Sequence, residues 1–330
     1  MSVKNKNQNL TNLASPKIGT KIIEVSDDFF GEASRMLDDK EPVFIEDKYD
    51  EHGKWMDGWE SKRRRDGGND WAIIKLGSPG IITEIDIDTS FFTGNFPPFA
   101  SIEGLYSDQK PSKESDWIEI LSKKSLKGDS GNKFKVETKT KVNYIKLKIF
   151  PDGGVARLRL FGEVKLNWDN YDNKNDLIEL SSLKLGGSIV AYNNAHYGDV
   201  SALLSHGRGK TMGDGWETRR RREPGNDWII IKLATKGLIK KIEIDTAHFK
   251  GNYPDQASVQ VSNFDKNKGL EELINDSHNW KYILDKSKLQ ADNIHNYEVN
   301  DTSIKDVTHV RLNIYPDGGV SRLRIFGLKL

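Results

Sequence analysis

The run Asp57-Gly58-Trp59-Glu60-Ser61-Lys62-Arg63-Arg64-Arg65 sets two carboxylates beside four consecutive cations, and Gly68-Asn69-Asp70-Trp71 follows at once. The same text returns as Asp214-Gly215-Trp216-Glu217-Thr218-Arg219-Arg220-Arg221-Arg222, then Gly225-Asn226-Asp227-Trp228. A guanidinium grips a carboxylate through two parallel hydrogen bonds, so these arginines suit a small anionic ligand. Carboxyl groups nearby can accept N–H donors or trade protons with a reacting group. Internal bracing of Arg by Asp and Glu is the competing use of the same residues. Each run is fenced by acids, Asp57, Glu60, Asp66 and Asp70 in one and Asp214, Glu217, Glu223 and Asp227 in the other. A fenced run with no further basic cluster is not a nucleic-acid surface.

A third motif, Pro151-Asp152-Gly153-Gly154-Val155, recurs as Pro316-Asp317-Gly318-Gly319-Val320, and Arg157 or Arg322 stands just beyond it. Pro-Asp-Gly makes a turn, and its glycines let backbone come close to a ligand. The two copies also differ. Phe91 becomes His248, Pro98 becomes Asp255, Phe99 becomes Gln256 and, in a looser register, Phe29 becomes His196. Titratable groups thus gather in the second copy, and histidine is the side chain that changes charge near neutral pH. The catalytic candidates are His248, Glu217 and Asp227. The substrate-binding candidates are Arg219, Arg220, Arg221, Asn226, Asp317 and Arg322, with Arg64 and Asp70 from the first copy. Exposure differing at an interface between the copies is the plainer account of the same substitutions.

No His-x-x-x-His pair occurs among the seven histidines, and no cysteine is present to hold a metal. No cofactor is expected, although a carboxylate-bound divalent ion such as Mn²⁺ stays open as an alternative. There is no Gly-x-Ser-x-Gly elbow, P-loop or Rossmann fingerprint.

These motifs need elements to hold them. The first two motifs repeat 157 positions on (57 to 214), as does Ile85-Asp86-Ile87-Asp88-Thr89 against Ile242-Glu243-Ile244-Asp245-Thr246. The Pro-Asp-Gly-Gly motif repeats 165 positions on (151 to 316), so about eight residues were inserted in the second copy. A period this long is a duplicated domain and no solenoid repeat. Ile145, Leu147 and Ile149 alternate with Lys146 and Lys148, and Val310, Leu312 and Ile314 alternate with Arg311 and Asn313. Period two with one polar face predicts antiparallel, half-buried strands. Trp71-Ala72-Ile73-Ile74 and Trp228-Ile229-Ile230-Ile231 read as central strands, and Arg157 to Gly162 and Arg322 to Gly327 as closing ones. Only Gly31 to Leu37 and Gly198 to Ser205 read as briefly helical. The expected fold is all-β, two tandem antiparallel jelly-roll sandwiches. The expected division is a disordered tail over 1–16, repeats over 17–166 and 180–330, and a linker over 167–179.

Composition narrows the partners. Charged residues make up 30% and net charge is +1, so no global field draws nucleic acid or an anionic membrane. No stretch approaches the length of a membrane span. A cysteine-free chain without an apolar leader suits the cytoplasm. The terminal Leu328-Lys329-Leu330 is a poor match to a peroxisomal address. A homo-oligomer remains open.

The tandem Asp-Gly-Trp-Glu-(Ser/Thr)-(Lys/Arg)-Arg-Arg-Arg and Gly-Asn-Asp-Trp blocks resemble the allantoicase family. So do Gly94-Asn95-Phe96-Pro97, Gly251-Asn252-Tyr253-Pro254 and Tyr315-Pro316-Asp317-Gly318-Gly319. The closing strands resemble those of galactose-binding-like jelly rolls. The first resemblance implies hydrolysis of allantoate to ureidoglycolate and urea in purine degradation, with arginine holding the substrate carboxylate. It assigns no catalytic residue. The alternative is a non-catalytic tandem jelly roll that binds a carbohydrate or other ligand.

Overall fold

A computed structural model describes residues 10–330 except 113, 172–175, 265–267 and 302. The chain divides into two compact units, Thr11–Leu166 and one built on Asn167–Leu330. Both are antiparallel β-sandwiches with the same strand order.

One long strand organises each unit. In the first it is Asp70–Asp88, and in the second Asp227–Asp245. Its leading limb pairs with Lys21–Val25 on one side and Val142–Phe150 on the other. Its trailing limb pairs with Arg157–Val164 and Gly131–Lys135. The partner register jumps from Lys75 to Gly80 along Val142–Phe150, so Gly77 to Gly80 form a corner between the two layers. A side chain at Gly77 would stand 2.0 Å from the Ile18 carbonyl oxygen, which requires glycine there. Phe99–Leu105 and Ile118–Ser125 extend the first layer. Ile74, Ile85, Ile87, Ile145, Leu147 and Leu160 are fully buried between the layers.

This bent strand determines where the chemistry lies. Asp70 pairs with Ile149 and Asp88 pairs with Arg157, and the Pro151–Gly154 turn joins those two partners. Both tips of the long strand therefore reach the same end of the sandwich, opposite the corner. The repeated loop motifs of each copy gather at that end. The second copy repeats this through Asp227 on Ile314 and Asp245 on Arg322.

Two boundaries differ from the sequence reading. Thr11–Asn12 pair with Phe161 and Gly162, and Leu13 and Ala14 are fully buried, so the first sandwich begins at Thr11 and not Lys17. The Asn-rich context hides two apolar residues that close the core. The rest of the expected tail, residues 1–9, lies outside the described residues. Ile178–Glu179 pair with Phe326 and Gly327, which moves the start of the second sandwich into the expected linker. The linker aromatics Trp168 and Tyr171 sit 5.4 Å apart, and Lys329 Nζ donates to the Trp168 carbonyl. Short 3₁₀ turns occupy Ala33–Leu37 and Val200–Leu204, where the sequence reads as helical. An α-helix, Leu270–Ser277, was not anticipated. It belongs to the stretch inserted in the second copy, and its Leu273 packs with Trp228, Ile230, Phe264 and Trp280 over the outer sheet face.

Candidate active site

The loop end of each sandwich is built on a buried tryptophan. Trp59 and Trp216 are completely buried, and each indole N–H donates 2.8 Å to a backbone carbonyl, of Asp27 or Asn194. The short strands Trp59–Glu60 and Trp216–Glu217 pair with Gly154–Val155 and Gly319–Val320. That pairing joins the tryptophan motif to the Pro-Asp-Gly-Gly turn. The side chain of Asn95 then donates to Glu60 Oε1 at 2.6 Å, and Asn252 donates to Glu217 in the same way. Gly153 and Gly318 hold φ of 131° and 136°, and a Cβ on either would stand within 2.7 Å of backbone in the Gly-Asn-(Phe/Tyr)-Pro loop. The third motif is thus glycine because two loops touch backbone to backbone there.

The arginine run follows. Asp152 Oδ2 accepts from the Arg64 backbone N–H at 2.6 Å, and Asp317 Oδ2 accepts from Arg221 at 2.8 Å. This pins the third arginine-run residue so that its side chain turns inward. Arg64 Nη1 donates to Asp70 Oδ1 at 2.6 Å, and Arg221 Nη2 donates to Asp227 Oδ1 at 2.7 Å. Asp70 and Asp227 are buried, so these pairs are internal braces. Arg63, Arg65, Arg220 and Arg222 point to solvent and make no ion pair among the described residues. Arg219 is exposed, its guanidinium 3.9 Å from Glu223 and its backbone N–H donating to Asn194.

The two braces are not equally complete. In the first copy Asp66 takes both Nε and Nη2 of Arg64, at 2.7 and 3.1 Å, and that contact holds the Asp66 carboxyl down to about 2. Glu223 stands at the Asp66 position of the second copy and reaches Arg221 only at 3.8 Å. Arg221 Nε and Asp227 Oδ2 are left buried with no hydrogen bond among the described residues.

Each member of the second-copy trio bonds other partners. Asp227 is held by Arg221 and by Asn193, and Glu217 by Asn252. His248 Nε2 lies 2.7 Å from the Gly209 carbonyl oxygen, to which it donates. No hydrogen bond links His248 to Glu217 or Asp227 among the described residues. Asn226 donates to the Asp227 carbonyl and, at 3.4 Å, to Asn313. Arg322 is buried and makes four hydrogen bonds from its side chain. Its Nε donates to the Gly207 carbonyl, Nη1 to the Asp214 and Ser321 carbonyls, and Nη2 to Asp214 Oδ2 at 2.9 Å. Arg157 does the same work with Lys40 and Asp57. Both arginines are buried and brace a loop with most of their five N–H donors.

Two features escape the sequence reading. One is an open cleft of about 570 Å³ in the first sandwich, lined by Ser26, Asp27, residues 62–66 and Asp70. The other is Glu60, whose carboxyl is pushed above the ordinary carboxylate value by burial, against the hydrogen bond from Asn95. Burial raises the carboxyls of Asp86 and Glu179 as well, so what sets Glu60 apart is its place at the loop end. Only its place in the repeated motif signals it in the sequence. No group of three or more His, Asp or Glu able to hold a metal ion occurs among the described residues.

Two jelly rolls in tandem, each with an Arg–Asp brace and a Glu–Asn pair at one loop end, define a duplicated sandwich. The Allantoicase repeat model matches residues 11–165 and 178–330. A probable allantoicase 1 of Burkholderia mallei is 49% identical over 96% of this chain and 94% of its own length. A probable allantoicase of Acinetobacter baylyi is 48% identical with the same coverage. The crystal structure of allantoicase from Saccharomyces cerevisiae superposes with a TM-score of 0.81 at 35% identity, covering 97% of this chain and 93% of that one. The chain belongs to the allantoicase family.

Proposed function

We infer that the protein hydrolyses allantoate to ureidoglycolate and urea, a step of purine degradation. The observation that carries this is full-length similarity, near 49% identity, to allantoicases across both repeats. The loop chemistry suits the substrate. Allantoate has one carboxylate and two ureido arms on a single carbon. Unpaired arginines suit the carboxylate, and the Asp and Glu oxygens suit the ureido N–H groups.

The products constrain the bond that breaks. Urea leaves whole, so its carbonyl is not attacked. The bond from the central carbon to one ureido nitrogen breaks, and a general acid protonates that nitrogen as it departs. The lone pair of the other ureido nitrogen stabilises the carbon as an imine-like intermediate. Water then adds to the carbon and gives its proton to a base, which restores the acid. The Glu60 and Glu217 positions suit this proton traffic, since each carboxyl stands at the loop end with a single amide donor on it. Asp227 and Asp70 hold arginines, and His248 braces the loop that carries Gly209.

Purified protein should release urea from allantoate. Allantoin, a closed ring without a free carboxylate, and arginine, which lacks the carbon bearing two nitrogens, should release none. Absence of urea from allantoate, with or without added Mn²⁺ or Mg²⁺, overturns the reading.

A further inference from the structure

The first-sandwich cleft and its counterpart differ at one small residue. Ser26 Oγ donates to Asp70 Oδ1 at 2.9 Å and accepts from the Trp71 N–H at 2.8 Å. In the second sandwich Asn193 makes both contacts, with Asp227 at 3.0 Å and Trp228 at 2.8 Å. Its longer side chain also caps the Asn226 carbonyl at 3.1 Å, which in the first sandwich, as Asn69, bonds Arg64 instead. Serine leaves unfilled the space that asparagine occupies, and the open cleft lies over Ser26.

The charges of the cleft select a ligand. Its cations are Lys62, Arg63, Arg64 and Arg65, and its acids are Asp27, Asp66 and Asp70. Arg64 is spent on Asp66 and Asp70. Asp27 Oδ1 accepts the backbone N–H groups of Phe29 and Lys62, and its Oδ2 has no donor among the described residues. Lys62 lies 4.1 Å above the Phe29 ring. Arg63 and Arg65 are therefore the guanidinium groups open to an anion, beside an acceptor oxygen on Asp27. A multiply charged anion such as phosphate meets three carboxylates here. A singly charged carboxylate that also carries N–H donors meets both needs at once, with its charge on arginine and its N–H on Asp27.

We propose that the first sandwich alone holds the substrate, in this cleft, with Arg63 and Arg65 on the carboxylate and Asp27 on a ureido N–H. The second sandwich keeps the frame with the bulkier Asn193 in the place of Ser26. This assignment rests on the allantoicase reading and deepens it to one copy and to the carboxylate–ureide class.

The test pairs kinetics with a probe that cannot react. Hydantoate has the carboxylate and one ureido arm but no second nitrogen on its central carbon, so it binds without releasing urea. Ser26→Asn, which copies the second sandwich, and the surface double variant Arg63→Gln/Arg65→Gln are compared with the wild type. Loss of charge-assisted hydrogen bonds should raise the allantoate KM and the hydantoate Kd about tenfold or more in the double variant. Ser26→Asn should do the same, with the far-ultraviolet spectrum and melting temperature reporting that it folds. Wild-type KM and Kd in the double variant overturn the proposal, whatever Ser26→Asn does. A wild type that binds hydantoate in this cleft yet releases no urea from allantoate leaves the cleft assigned and overturns the activity instead.

Discussion

Phe91 and His248 occupy one backbone position in two copies of a domain. Each has φ of 69°, and each N–H donates to an aspartate, Asp129 at 2.7 Å or Asp292 at 2.8 Å. The aligned substitution is therefore a true exchange of side chains on the same scaffold. The phenylalanine stacks on Phe44 with ring centroids 5.8 Å apart, whereas the histidine bonds the Gly209 carbonyl. In both copies the side chain secures the loop lying over it. His248→Phe should thus cost about 1 kcal/mol, one hydrogen bond, and leave urea release near the wild-type rate. Denaturant melts and initial rates check this. A fall of about 10²–10⁴-fold in a folded protein would instead make the ring an acid or base.

Arg322 is 2% exposed and Asp214 is its only acidic partner among the described residues. Asp214→Ala leaves the guanidinium buried against carbonyls alone, which should cost about 3 kcal/mol. Asp57→Ala should do the same to Arg157, which is 1% exposed. Guanidinium chloride unfolding measures both, and a loss below about 0.5 kcal/mol would place these pairs with surface bridges.

Much of this was legible in the chain. Alternation at Ile145, Leu147 and Ile149 gives strand and inward face because a side chain every second residue faces one side of a sheet. The repeat gives two equal folds, and repeated loop residues mark the site end. The bent strand was not legible, since Gly77-Ser78-Pro79-Gly80 is written like a turn that separates two strands. Here the corner stays inside one hydrogen-bonded strand because neighbours in both layers pair across it. The helix Leu270–Ser277 is short and set by packing on Trp228 and Trp280, so its own sequence signal is weak. The fate of the arginines was half legible. Fencing acids predict bracing, but that it falls on Arg64 and Arg221 is set by Asp152 and Asp317, on a turn far from the run in sequence.

His309 tests the insertion electrostatically. It is buried near Phe264 and Trp280, and desolvation, with a smaller effect of Lys232, lowers its pKa from 6.5 to about 4. A depressed histidine binds fewer protons folded than unfolded, so stability falls as pH drops below 6.5 and levels off under about 4. The full effect is about 3 kcal/mol. Tyr144 is the first-copy counterpart, also buried. His309→Tyr should flatten this acid limb while leaving stability at pH 8 little changed. An unaltered slope between pH 6.5 and 4 in the variant would assign the limb to other groups.

Glu60 and Glu217 together test which copy runs the chemistry. Its carboxyl lies two residues before the cleft-lining Lys62, and burial raises its pKa while Asn95 holds Oε1. A general acid must be protonated when the urea nitrogen departs, and a raised pKa keeps more of it so at working pH. Glu60→Gln retains the amide contact and the shape but has no proton to give. Turnover should fall about 10²–10⁴-fold with KM nearly unchanged, because the loss is felt only in the transition state. The fall of kcat at high pH, which reports the acid in the complex, should vanish with it. Stability should move the other way. The raised folded pKa means the native state binds the proton more tightly, so the wild type loses stability as pH rises through that window and Glu60→Gln does not. Glu217→Gln is the matched variant on the second scaffold. If it abolishes turnover while Glu60→Gln keeps it, proton transfer belongs to the second sandwich and the first-copy assignment fails.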